Sequence, residues 1–248
     1  CQLTLSAGLL RRCFDRTLDE TFSIDEVFAG TRMRGTGRLR GLLACRPVAS
    51  EAAARWEWRL DATSSSTTSG NNSGVRIDSR GETKIQGHKA FAWDGAGISP
   101  RPAVSNASAQ VDFDDIAAGG RAIRRRAATN EVHASRPKAE MDAEVSAQRS
   151  LNAQLDREGL RLAETFNGTY DREFRRVASL GNDFVSTVRT WSTNQAVQWR
   201  CYVEPPDGFA AGSLPPQTGG ESDLQVQVHQ TFVERALTMR LCGRSLTG

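Results

Sequence analysis

The chain is poor in the residues that most often do chemistry near neutral pH. It has three histidines, His88, His133 and His229, and none sits beside a Ser, Cys, Asp or Glu in a recognised catalytic frame. HExxH, GxSxG, the P-loop and a GxGxxG opening a helix are all absent. A triad assembled from distant segments stays open, because such groups need not be neighbours in sequence. The five cysteines, Cys1, Cys13, Cys45, Cys201 and Cys242, show no CxxC spacing and no histidine at metal-ligand distance, which removes the common zinc sets. No apolar run approaches the roughly 18–20 residues a membrane-spanning helix needs. A net charge of only +3 argues against a dedicated nucleic-acid binder. No catalytic residue, metal set or cofactor motif is assigned.

What is present is strand periodicity. With 248 residues and 38% hydrophobic content, the chain is long enough to bury a substantial core. From Thr31 to about Gln110, apolar and polar residues alternate. Met33, Leu39, Leu43 and Cys45 share one parity, and Arg32, Arg34, Arg38 and Arg40 share the other. Trp56, Trp58 and Leu60 alternate with charged neighbours, as do Val75 and Ile77, and Phe91 with Trp93 close the pattern before a turn at Asp94–Gly97. Period two of this kind predicts an antiparallel meander with one buried and one wet face. The polar tract Thr63–Ser73 leans toward strand because of its threonines. Val197, Trp199, Cys201 and Val203 repeat the alternation in a later segment.

The period changes after Ile116. Met141, Val145, Leu151, Leu155, Leu162, Phe166, Tyr170, Phe174 and Val177 recur mostly at steps of four or seven, a stripe that predicts a long helix with Pro137 in its first turn. Gly159 and Gly168 are the expected break points. Asp112, Asp114 and Asp115 read as an acidic helix start, since a calcium loop would need more oxygen ligands and a Gly-directed turn. Cys13, Cys45 and Cys201 fall on apolar faces and are expected to be small buried hydrophobes.

The two ends resemble each other. At a single offset Leu3, Leu5, Leu9, Leu10, Arg12, Phe14 and Leu18 overlay Val226, Val228, Phe232, Val233, Arg235, Leu237 and Leu241. Both copies read as a short strand running into an amphipathic helix, so a repeat is expected. The organisation that follows is a main domain over 1–204, a Pro/Gly-rich linker over 205–223, and the start of a second copy over 224–248. Beginning at Cys1 rather than Met, the chain is a processed form or a segment of a longer one, and the segment reading is the expectation.

The fold class expected is α+β: a twisted antiparallel meander packed on a long helix, with a strand–helix unit at each end. Trp56, Trp58, Phe91 and Trp199 on the sheet, facing Phe166 and Phe174 on the helix, are the candidate ligand-binding residues. Arg32, Arg34, Arg38 and Arg40 are candidate anion contacts, since side chains two apart on one strand face sit about 6–7 Å from each other. The alternative for these arginines is cross-strand pairing with Glu57, Asp61, Asp78 or Glu82. Arg121, Arg124, Arg125 and Arg126 form a second basic cluster, for which a solvated face is the simpler reading.

Two resemblances bear on function. Gly30-Thr31-Arg32 with Gly35-Thr36, Asn72-Ser73-Gly74-Val75, Ser79-Arg80-Gly81-Glu82-Thr83, Lys89, Trp93-Asp94 and Leu224-Gln225-Val226-Gln227 together resemble uncharacterised exported repeat proteins of planctomycete-type bacteria. That likeness implies a secreted, periplasmic or cell-envelope protein and transfers no catalytic residue. The order helix, twisted meander, long helix also resembles the tubular lipid-binding (TULIP-like) architecture, which implies lipid held between sheet and helix. The expected function is therefore a non-catalytic envelope or secreted module binding a lipid, another hydrophobic ligand or a protein partner. The alternatives are a purely structural repeat and a hydrolase with a dispersed site.

Overall fold

The structure, a computed structural model, describes residues 1–28, 30–72, 74–118, 129–175, 185–204 and 222–228, with isolated positions 230 and 233. The chain opens with β1 (Gln2–Ser6) and an eight-residue α1 (Ala7–Phe14), whose first turn is capped by the Ser6 hydroxyl accepting from the Leu9 N–H. Then come β2 (Arg16–Phe28), β3 (Thr31–Val48), β4 (Ala54–Asn72), β5 (Val75–Trp93), β6 (Ile98–Pro100) and β7 (Val104–Ala118). A helical stretch at 129–134 leads into α2 (Arg136–Tyr170), which runs into a π-helical turn at Asp171–Arg175. Finally β8 (Val185–Ser192), β9 (Ala196–Glu204) and β10 (Leu224–Gln227) complete the described elements.

Two antiparallel sheets result. One has the order β2-β3-β4-β5-β6, with β7 also on β5, and the other has the order β10-β1-β9-β8. The arrangement is α+β, a meander in which hairpins join β2 through β6 and β7 returns to pair with β5. Left-handed Gly30 (φ 81°) and Gly74 (φ 84°) sit at two of the tips, where an L side chain would be strained. Of the tract Thr63–Ser73, the described residues extend the strand as the threonines suggest, since β4 continues to Asn72 and pairs on both sides.

Strand length and helix length match. β3 has 18 residues and α2 has 35, so both span roughly 50–60 Å. One helix can therefore cover the whole sheet. It passes unbroken through Gly159 and Gly168, contrary to the expected breaks. Gly159 has a packing reason instead, because a Cβ there would overlap Cε of Lys89 on β5.

Other expectations change as well. Asp112, Asp114 and Asp115 lie in β7, not at a helix start. Pairing with β5 holds this segment extended, and a register shift at Asp78/Ser79 accommodates Asp114. Met141 and Val145 face solvent, and Ala139 is the buried residue in that part of the helix. Leu18 belongs to β2 rather than to α1. Cys45 and Cys201 are buried as expected, but Cys13 is exposed. Val177, Arg121, Arg124, Arg125, Arg126 and most of 205–223 lie outside the described residues. Leu224–Gln227 pairs antiparallel with β1, and the helix expected after it also lies outside them.

Candidate functional site

Along β4 and most of β5 the inward side chains shrink from one end to the other, although Met33, Ile77, Phe113 and Ile116 keep bulk at the far end. Along β4 the inward positions run Trp56, Trp58, Leu60, Ala62, Ser64, Ser66, Thr68 and Gly70. Along β5, read from the same end, they run Trp93, Phe91, Lys89, Gly87, Ile85, Thr83, Gly81 and Ser79. The helix follows the same gradient, with Leu151 and Leu155 buried at the aromatic end and Ala139 and Ala143 at the other.

The aromatic end is filled. Phe91 stacks on Trp56 with ring centroids 5.5 Å apart and meets Trp58 edge-on at 4.7 Å. Trp93 meets Phe166 at 5.3 Å, and Val197 and Trp199 from β9 join the same cluster. The indole Nε1 atoms of Trp56, Trp58 and Trp93 are buried with no acceptor, a cost of using indole rings as filler. The structure thus brings Trp56, Trp58, Phe91, Trp199 and Phe166 together in one hydrophobic cluster. The side chain of Phe174 lies outside the described residues.

The small-residue end is not filled. Between sheet and helix it leaves a cavity of about 340 Å³. Its apolar wall includes Ile24, Met33, Ile77, Val111, Phe113 and Val132. Thr31, Ser66, Thr68, Ser79 and Thr83 add hydroxyls, and Ala139 and Ala143 close it from the helix. None of the five aromatics just named lines this space. The sequence signal that marks it is the row Ser64, Ser66, Thr68 at positions where the same strand earlier carries tryptophan.

The helix is tied to both borders of the sheet. On one side its carboxylates accept from backbone N–H groups along the edge. Glu140 accepts from Val111 (3.2 Å), Glu144 from Ala109 (3.0 Å), and Asp156 from Ala103 (2.8 Å). Farther along, Asn167 both accepts from Ile98 N–H (2.7 Å) and donates to its carbonyl (3.0 Å). These contacts satisfy an edge that would otherwise invite another strand. On the other side, the Ser146 hydroxyl donates to Glu26 of β2 at 2.8 Å. These contacts hold the helix over the cavity from both flanks.

Lys89 fixes the helix from beneath. Its side chain is 2% exposed and donates to Asp156 (2.5 Å) and to the Arg101 carbonyl (2.8 Å). Burial pushes the Asp156 carboxyl up, but hydrogen bonds from Lys89 and the Ala103 N–H, with the lysine's charge, outweigh it and hold the group below its usual range. Burial pushes the Cys45 thiol up to about 12, which keeps it protonated and unreactive.

The arginine ladder is paired. Arg38 donates two hydrogen bonds of 2.6 Å to Asp19, and Arg32 donates at 2.6 and 2.8 Å to Asp25. Arg34 and Arg40 share the same two acids at 3.5 and 3.7 Å. The pairing is cross-strand, as the alternative reading held, but the acids come from β2 and not from Glu57, Asp61, Asp78 or Glu82. The hydrogen bonds from these arginines hold both aspartates below their ordinary pKa. All these groups are exposed on the outer face, away from the cavity.

Among the described residues, no group of three or more His, Cys, Asp and Glu could hold a metal ion. Among them too, no helix is long and apolar enough to cross a membrane. No family model and no curated protein matches the chain, so the resemblance to planctomycete-type repeat proteins gains no support. Among solved structures the chain is similar to a lipopolysaccharide binding protein at 8% identity and a TM-score of 0.32, over 90% of this chain and 55% of that one. The chain spans about half of that protein's length, and a likeness this loose assigns neither family nor ligand.

Proposed function

We propose that the chain is a non-catalytic module, secreted or held in the periplasm or cell envelope, that binds a lipid or other hydrophobic ligand between its curled sheet and long helix. We take 1–204 as its main domain, with 224–248 opening a second copy of the terminal unit. The observation that carries the reading is the 340 Å³ cavity at the small-residue end. Ligand sites are usually concave, mostly apolar and about 300–1,000 Å³ in volume. Protein interiors otherwise close-pack, as the aromatic end of this same sheet does. At about 30 Å³ for each heavy-atom group, the liquid-water share, the space holds on the order of ten such groups, one medium acyl chain.

The test is to fill the space. Ala143 lines it from the helix and is half-buried. Ala143→Phe is expected to weaken binding of the uncharged fluorophore N-phenylnaphthylamine by at least about tenfold, equivalent to about 1.4 kcal/mol. The helical circular dichroism should be unchanged. Equal binding by the folded variant would remove the cavity as the site. The purely structural reading suits the aromatic end, where the rings pack on one another, but does not account for a cavity at the other end, whose wall mixes apolar side chains with serine and threonine hydroxyls.

A further inference from the structure

The cavity's sheet wall is not uniformly apolar. Thr31, Ser66, Thr68, Ser79 and Thr83 contribute hydroxyls to it, and Thr31 and Ser79 are buried. Thr68 and Ser79 face each other across β4 and β5, and their hydroxyl oxygens lie 2.8 Å apart. Ser66, two residues away on the same face, reaches the Gly81 carbonyl only at 3.5 Å. Strand pairing does not demand hydroxyls here, because inward positions of the same β4 carry Trp56, Trp58 and Leu60 farther along.

Each hydroxyl offers one donor and two acceptor sites. The Thr68–Ser79 bond uses one of each, so the pair retains a donor and three acceptor sites. An occupant that displaces water from these hydroxyls and offers them no partner leaves that capacity unmet, which costs free energy. An occupant that is pure hydrocarbon would impose that cost, whereas one bearing an oxygen would remove it. Among the described lining residues Glu131 is the only ionisable one, and it is solvent-exposed. The described wall therefore offers no cation to a buried anionic headgroup.

We infer that the occupant is an uncharged amphiphile whose hydroxyl or ester oxygen bonds the Thr68–Ser79 pair, with its hydrocarbon against Ile24, Met33, Ile77 and Phe113. This rests on the ligand-binding reading above and adds the chemistry of the ligand. The source could be a free fatty alcohol or the glycerol ester of a lipid, since both present the same oxygen.

Displacement of N-phenylnaphthylamine from the full chain tests it. Dodecanol and monolauroylglycerol are expected to compete at concentrations at least about tenfold below those of dodecane and of dodecanoate, and the better of the two identifies the source. In Thr68→Val/Ser79→Ala, which removes both partners together and so leaves no orphan, dodecanol should lose that advantage over dodecane while the fluorophore still binds. Dodecane or dodecanoate competing as well as the alcohol in the wild-type chain would overturn the inference and leave the binding site standing. An unchanged preference in the double variant would do the same. Failure of the fluorophore to bind the wild-type chain at all would overturn the ligand-binding reading itself, and this inference with it.

Discussion

Phe91→Ala is expected to lower the thermal midpoint sharply while leaving ligand binding intact. Phe91 is 1% exposed and lies between Trp56, stacked at 5.5 Å, and Trp58, edge-on at 4.7 Å. Truncating a buried phenylalanine removes its transfer free energy and leaves a void that large rings cannot collapse to fill, typically about 3–5 kcal/mol. At about 2–4 °C for each kcal/mol in a chain of this size, the midpoint should fall by roughly 6–20 °C. Because Phe91 does not line the cavity, N-phenylnaphthylamine should bind the folded variant with wild-type affinity below its melting range. A folded variant that had lost binding would move the site to the aromatic end, where Trp56, Trp58, Phe91, Trp199 and Phe166 meet.

Asp156→Ala should cost nearly as much for a different reason. It leaves Lys89, 2% exposed, with one carbonyl partner and no counter-charge. Removing one member of a buried pair costs about 3–5 kcal/mol, chiefly the penalty of the stranded charge. The lower end applies here, because Asp156 is itself 40% exposed and partly screened. The pH dependence has a definite sign. The folded carboxyl of Asp156 lies below its ordinary value, so its contribution is complete above the unfolded aspartate range near pH 4 and is lost as pH falls through the lower folded pKa. Urea melts of the wild-type chain and Asp156→Ala should therefore converge at acid pH and diverge above it. A constant gap across the range would contradict the role given to the ion pair. Gly159→Ala should destabilise as well, although alanine is normally worth about 1 kcal/mol more than glycine within a helix. The new Cβ would overlap Lys89 Cε, and Lys89 is pinned by Asp156 and the Arg101 carbonyl.

The parts of this fold legible in the sequence are those written in a single strand or helix. Alternation in Trp56–Leu60 and Val75–Ile77 marks the inward face of the meander, and the spacing of Leu151, Leu155 and Phe166 marks the covering side of the helix. Bulk is an ambiguous signal for the site. Large aromatics on facing surfaces look like a ligand wall, yet large side chains are also what fill a core, and here they do. The cavity lies where serine, threonine and glycine on β4 and β5 face alanine on the helix, between larger apolar side chains. That depends on the distance between Ser66 on β4 and Ala143 on α2, which no local pattern encodes. The edge contacts were hidden for a related reason. Glu140 and Glu144 meet the backbone of Val111 and Ala109, residues far away in sequence, so no local pattern marks them. Gly159 looked like a helix breaker because its partner, Lys89, is distant in the chain.

Native mass spectrometry of the full chain purified from a bacterial host, followed by organic extraction, tests the central claim most directly. The account predicts a bound species of lipid mass that is retained by Phe91→Ala and lost in Ala143→Phe. A wild-type chain that carries no such mass, and takes none up when incubated with monolauroylglycerol, would contradict it.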